Sequence, residues 1–167
     1  ETSRKKNSTY HLNLENPLTY EYISIAEKIR LKTSMDKSAI LKRLYEILGE
    51  FFRQSRFLVF GSFAKNLAGN NIDLLIIGEE NDKLNNATKK FSNTYGIKIH
   101  KIPINSIDSI DNAMAKEVYS KHIILNNSDL FVKFFGEKYG KVCYGHENIN
   151  WFFRWEKDGR NKKPHFP

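Results

Sequence analysis

The sequence has a single cysteine, Cys143, among 167 residues. One thiol closes no intrachain disulfide and builds no Cys-rich zinc site, so a disulfide scaffold and a zinc finger are both excluded. Long apolar runs are missing too. None approaches the roughly 18 residues that a bilayer-crossing helix needs. The N-terminus is polar and basic, unlike a secretory signal. The expected address is the cytoplasm, with no membrane partner. Metal-binding spacings are absent as well. His11, His122, His146 and His165 have no i,i+4 partner, and His146 with Cys143 makes only two ligands. Internal repeats and low-complexity tracts are lacking.

What is present suits a folded domain. Hydrophobic residues make up 40% and aromatics 13%, enough for a core. The length fits one domain, or one domain with a short appendage. Lys and Arg number 27 against 19 Asp and Glu, a net charge of +8. Such an excess favours polyanionic partners, namely nucleotides, nucleic acid or anionic membrane, or serves solubility alone.

Periodicity predicts the elements. A short strand covers 9–14, with Tyr10, Leu12 and Leu14 on one face. A helix over 19–31 carries Tyr22, Ile25, Ala26 and Ile29 at helical spacing, with Thr19 as N-cap. A second helix runs over 37–54, capped by Asp36. Strands follow at 56–60 and 72–77, the latter nearly continuous in Ile and Leu, as suits burial on both faces. A helix over 84–94 stops at Gly96, and a third strand over 97–102 ends at Pro103. Helices at 113–121 and 129–139 complete the pattern, the last with Ser128 as N-cap. Phe131, Val132, Phe134 and Phe135 make more than one face of that helix apolar, which calls for burial or a partner.

The chemistry concentrates in two adjoining stretches. Leu58-Val59-Phe60 runs into Gly61-Ser62, with Lys65 one turn on. Asn70-Asn71-Ile72-Asp73 then opens the buried strand. A glycine lets a ligand approach the backbone, and a serine adds a hydroxyl and an amide suited to phosphate. Lys65 is either a third phosphate contact or a solvated lysine. A carboxylate on the next strand can hold a divalent metal that bridges phosphates.

This pattern resembles the minimal nucleotidyltransferase domains of the DNA polymerase β-type superfamily. The family shows Gly-Ser, a spacer, Asp-x-Asp on a strand, and a third carboxylate on a later strand. Gly61, Ser62 and Asp73 match, and the resemblance covers about 57–103 well. It extends more weakly over 116–125. It implies a small mixed β-sheet flanked by helices, an α+β fold. It also implies phosphate binding at Gly61, Ser62 and Lys65, and Mg2+ or Mn2+ held by Asp73. The departures are specific. Asn71 stands where the family has its first Asp, and offers an amide oxygen without charge. The strand over 97–102 has no acid, only Lys98, His100 and Lys101 as polar groups. Two of three expected carboxylates are missing. His100 is the one candidate to replace the family's general base.

The stretch 8–19 is similar to the wing strand and exit linker of archaeal winged-helix transcriptional regulators fused to such a domain. Arg4, Lys5 and Lys6 are then candidate DNA contacts near the wing, or part of a basic arm. The chain opens with Glu1 rather than Met, and is read as a fragment or as lacking an upstream domain. The C-terminal stretch is aromatic at 151–155, then basic through Lys157, Arg160, Lys162 and Lys163. It docks on its own domain, forms a homodimer contact, or stacks on single-stranded nucleic acid.

The expected organisation is a remnant of a wing or arm (1–18), a helical lead-in (19–55), the nucleotidyltransferase core (56–104), C-terminal helices (105–140) and an aromatic, basic tail (141–167). The expected function is a catalytically degenerate nucleotidyltransferase-fold domain that binds a nucleotide or phosphate ligand within a DNA-binding regulator. Two alternatives stand beside it. One is an active, metal-dependent, antitoxin-like transferase acting on a protein or RNA hydroxyl. The other is a dimerisation or DNA-binding scaffold without nucleotide binding.

Overall fold

A computed structural model describes residues 13–139. The expected strand at 9–14 lies outside the described residues except for its last two positions. So do Arg4, Lys5, Lys6, His11, Cys143, His146, His165 and the aromatic tail. Four strands form one sheet in the order β3-β2-β1-β4. They are β1 (Ser55–Phe60), β2 (Asn71–Gly78), β3 (Lys98–Ile104) and β4 (His122–Ile124). β1 pairs antiparallel with both β2 and β4, whereas β2 pairs parallel with β3. The fold is therefore α+β with a mixed sheet flanked by helices, as the sequence predicts.

Burial explains the sheet. Ile72, Leu74, Leu75 and Ile76 of β2 are sealed on both faces, which is why that strand reads as a continuous apolar run. Ile72, Leu74 and Ile76 join Phe57 and Val59 under Leu41, Leu44 and Leu48 of α2 (Ala39–Leu48) and Leu84 and Phe91 of α4 (Asp82–Tyr95). Leu58 and Leu75 face the other way. There they meet Val118 of α5 (Asn112–Ser120) and Phe131, Phe134 and Phe135 of α6 (Ser128–Tyr139). The doubly apolar last helix is thus internal.

Several boundaries differ from expectation. α1 (Pro17–Lys37) starts earlier because Asn16 is the cap, its carboxamide oxygen accepting from the Leu18 amide at 3.0 Å. Pro17 follows at the first helical position, where its fixed φ helps. Thr19 instead lies inside the helix, and its hydroxyl donates to the Asn13 carbonyl. Asp36 does not cap α2. Ser38 does, accepting from the Leu41 amide at 3.3 Å, while its own N–H closes α1 on the Ser34 carbonyl. α2 ends at Leu48 in a short 3-10 turn, Gly49–Phe51. Pro103 does not end β3 but pairs in register with Ile76, tolerated because β3 is an edge strand. Ser128 is the first residue of α6 rather than its cap. Its buried hydroxyl has no hydrogen-bond partner among the described residues, and Asn127 before it has a φ of 55°.

Asn126 extends the pairing of β1 beyond the end of β4. Its carboxamide accepts from the Phe57 amide at 2.8 Å and donates to the Ser55 carbonyl at 3.0 Å. A side chain here continues the ladder that the short β4 leaves unfinished.

The face of α1 is the largest correction. The expected stripe of Tyr22, Ile25 and Ile29 points outward, and the buried residues are Thr19, Ile23, Ser24, Glu27, Leu31 and Ser34. Glu27 meets a sealed histidine. Its Oε2 lies 3.6 Å from His122 Nε2, and Arg30 Nη1 donates to its Oε1 at 3.3 Å. His122 Nδ1 donates to the Val118 carbonyl at 2.8 Å. His122 is a core histidine.

Burial pushes the Glu27 carboxyl up, but hydrogen bonding to His122 and the charges of His122 and Arg30 outweigh it and hold the group below its ordinary value. Burial holds the His122 imidazole below its ordinary value, and the Arg30 charge adds to this. A depressed folded-state pKa gives stability that is complete above the unfolded value and lost as pH falls. Stability should therefore begin to drop as pH passes below the ordinary imidazole value of 6.5, with a second loss below the ordinary carboxyl value of 4.5. Urea denaturation from pH 8 to 4 checks this, and His122→Asn should flatten the first decline. Glu27→Ala should cost about 2–4 kcal/mol at pH 7, because it removes the carboxylate that a buried imidazole and a half-buried guanidinium both approach.

Candidate functional site

The end of the sheet where β1 stops and β2 starts is polar and open. β1 runs directly into α3 (Gly61–Asn66), with Gly61 at a φ of 72°. The antiparallel register sets Phe60 opposite Asp73, so the Asp73 carboxylate lies against Gly61. A Cβ at Gly61 would stand 2.7 Å from Asp73 Oδ2. Two independent constraints therefore demand glycine, the left-handed φ and the carboxylate itself. The Gly61 N–H donates to the Lys121 carbonyl at 3.2 Å, which ties this turn to the entry of β4.

Ser62 follows and is exposed, and Lys65 lies one turn further along α3, also exposed. No side chain caps α3, since Phe60 holds the cap position. Apart from the Gly61 N–H, which is taken by Lys121, the amides of its first turn meet no side-chain cap, and Ser62 beside them is exposed.

The parallel register places Asn71 beside Lys98 and Asp73 beside His100. Because strand residues alternate faces, these four side chains belong to one face, and Leu75 and Ile77 continue that face into the core. His100 Nδ1 donates to Asp73 Oδ1 at 3.2 Å. The carboxylate is 31% exposed and the imidazole 66%, so the pair sits at the rim. Lys101 belongs to the opposite face, where its ammonium bonds to Glu80 and Asn85. Of the three polar groups on β3, only Lys98 and His100 share the site's face.

This donor set does not fit a pair of divalent cations. Asp73 is the single acid of the patch, it already accepts from His100, and a lysine stands beside Asn71. Two cations so close together need several carboxylates to offset their repulsion. Among the described residues, no group of three or more His, Cys, Asp and Glu side chains could hold a metal ion. One carboxylate among an imidazole, an ammonium and exposed amides is better matched to an anionic ligand.

The sequence alone places Gly61 and Ser62 at the end of one strand and Asn71 and Asp73 at the start of the next. It does not reveal the Asp73–His100 bond, because that depends on the parallel register across an intervening helix. Nothing in the sequence marks Glu27 or Arg30 as buried or pairs them with His122. No spacing links residues so distant in sequence.

No protein-family model matches the chain, and no curated protein matches it. Among solved structures, a toxin–antitoxin complex with AMP-PNP is similar over 61% of this chain and 85% of that one, at 12% identity and a TM-score of 0.45. The MntA-HepT toxin–antitoxin is similar over 61% and 82%, at 11% identity and a TM-score of 0.41. A tri-AMPylated Shewanella oneidensis HEPN toxin in complex with its MNT antitoxin is similar over 61% and 91%, at 9% identity and a TM-score of 0.38. No helix among the described residues is long and apolar enough to cross a membrane.

The close contact at Gly61 is testable. Gly61→Ala should cost about 1–3 kcal/mol in denaturant unfolding, from the positive φ and the displaced carboxylate together. Gly61→Ala combined with Asp73→Ala should cost less than the two single changes added, because the steric part vanishes. Strict additivity would show that Asp73 does not press on Gly61.

Proposed function

We propose that this chain is a nucleotidyltransferase-type domain that binds a nucleotide or another phosphate ligand and has lost the two-metal transfer site. The observation that supports it is the register of β2 with β3. It sets Asn71 against Lys98 and Asp73 against His100, where a transferase needs carboxylates. The polyphosphate would lie at Gly61 and Ser62, close to the first-turn amides of α3. Lys98 and Lys65 would supply charge. Asp73 would accept a bond from a ribose hydroxyl or hold the His100 imidazole toward the ligand.

Joining this domain to a DNA-binding regulator rests on Arg4, Lys5 and Lys6, which lie outside the described residues, and on the resemblance over 8–19, of which only 13–19 are described, as a turn that enters α1. The described residues add nothing to that part of the reading.

The test is calorimetry with ATP, CTP, GTP and UTP, each with and without Mg2+ or Mn2+. We expect at least one nucleotide to bind with a Kd on the order of 10–100 μM. Ser62→Arg should weaken binding about tenfold or more, and Lys98→Ala about threefold to tenfold, each tenfold corresponding to about 1.4 kcal/mol. Removing the metal should change the affinity little. Absence of binding by all four nucleotides at millimolar concentration would overturn the proposal and leave the scaffold reading.

One observation favours a second reading, an active transferase. The Asp73–His100 bond fixes the imidazole with Nδ1–H on the carboxylate, leaving Nε2 as a base. The acceptor hydroxyl would lose its proton to Nε2 as its oxygen bonds to the α-phosphorus and pyrophosphate leaves. Transfer of label from α-labelled nucleotide to a protein or RNA acceptor would establish it, provided that His100→Ala abolishes the product while leaving nucleotide affinity within about threefold. Unlabelled acceptor in the unmodified chain dismisses it.

A further inference from the structure

Leu18, Tyr22, Ile25 and Ile29 of α1 are exposed by 57%, 68%, 50% and 61%. They form one stripe along three turns of the helix. Their spacing of 4, 3 and 4 is that of the apolar seam of a coiled coil. The other face of the helix is already occupied. It carries Ile23, Glu27 and Leu31 into the domain and packs along α6, where a Cβ at Gly136 would strike the Tyr20 ring. The stripe is therefore not a misplaced core face. It has no cover among the described residues.

We propose that this stripe is the contact surface for a second copy of the same chain, with the two α1 helices antiparallel about a twofold axis. The 4-3-4 spacing is a palindrome, so it matches itself when one copy is reversed. Leu18 then faces Ile29 of the second copy, Tyr22 faces Ile25, and each contact recurs by symmetry, as a closed isologous interface requires. The flanking charges agree. Glu21 and Lys28 lie on the same side of the stripe, both exposed. Reversal brings each within reach of the opposite charge on the other copy, giving two ion pairs. A parallel arrangement forms neither. The other flank offers Ala26 and Thr33, small and uncharged, which lets the helices approach. Lys28 also stands 4.0 Å from Asp129, but both ends of that pair are exposed, so it holds Lys28 only weakly.

The size of the seam sets the strength. Four side chains expose a few hundred Å2, below the roughly 800 Å2 per partner of a standard interface. The helix flanks must supply the rest, and the dimer is reversible, with a Kd on the order of 10 μM.

Sedimentation equilibrium of the full chain tests this. Between about 1 and 500 μM, a range bracketing that Kd, the mass should rise from 19.5 kDa toward about twice that value. Ile25→Arg changes an exposed residue, so its circular dichroism and melting should match the parent while its mass stays that of the monomer. Register is tested with Cys143→Ser throughout. Mixing Tyr22→Cys and Ile25→Cys chains in a glutathione redox buffer should yield the mixed disulfide dimer well above either symmetric dimer. A chain that stays monomeric, as it would if its own residues 140–167 or another protein covered the stripe, overturns the proposal. So does association that Ile25→Arg leaves intact, or preferential cross-linking of Tyr22→Cys chains to each other.

Discussion

The register between β1 and β2 is the constraint on which the rest depends. Both strands are buried on both faces, so their alternate side chains feed two separate cores. A slip of one residue would exchange those sets and drive Asp73 toward the interior, which no local rearrangement could offset. With the register held, Phe60 ends opposite Asp73, and the next residue must turn sharply past a carboxylate. Glycine at position 61 follows from that crowding. The polar end of the sheet is thus a consequence of how the apolar middle is aligned.

The same alignment decides the electrostatics of the site. β3 joins parallel to β2 after α4, which brings Lys98 and His100 to the face of Asn71 and Asp73 and sends Lys101 to the other. A face with one carboxylate and two basic neighbours attracts anions and discourages closely spaced dications. The site is open at the rim, so its charges stay hydrated and cost little to keep. The cluster of Glu27, Arg30 and His122 is the opposite case. There the groups are largely sealed, and their mutual pairing offsets part of the cost of burial.

That cluster also sets the rotation of α1. Seating Glu27 on His122 turns Ile23 and Leu31 inward and Leu18, Tyr22, Ile25 and Ile29 outward. Polar pairing thus outranks apolar periodicity in this helix, and the apolar stripe is left for another surface. Elsewhere periodicity prevails: α2, α4 and α6 bury the residues that their spacing selects.

The amino-acid sequence alone determined the strongly patterned parts. The Ile- and Leu-rich strand at β2, the turn from β1 into Gly61-Ser62, the stop at Gly96 and the doubly apolar last helix follow from local physics, namely burial, backbone freedom and capping. So did the placement of Asp73 at the head of its strand, and the shortage of carboxylates on β3. Tertiary structure decided what depends on distant partners. Caps at Asn16 and Ser38 rather than Thr19 and Asp36 came from choices between neighbouring polar residues of similar propensity. Pro103 stayed in β3 because that strand lies at an edge. The hydrogen bond from His100 to Asp73, the seat of Glu27 on His122 and the inverted face of α1 were invisible in the chain. Each joins residues dozens of positions apart, and no local periodicity encodes which of two helix faces finds a buried charge to meet.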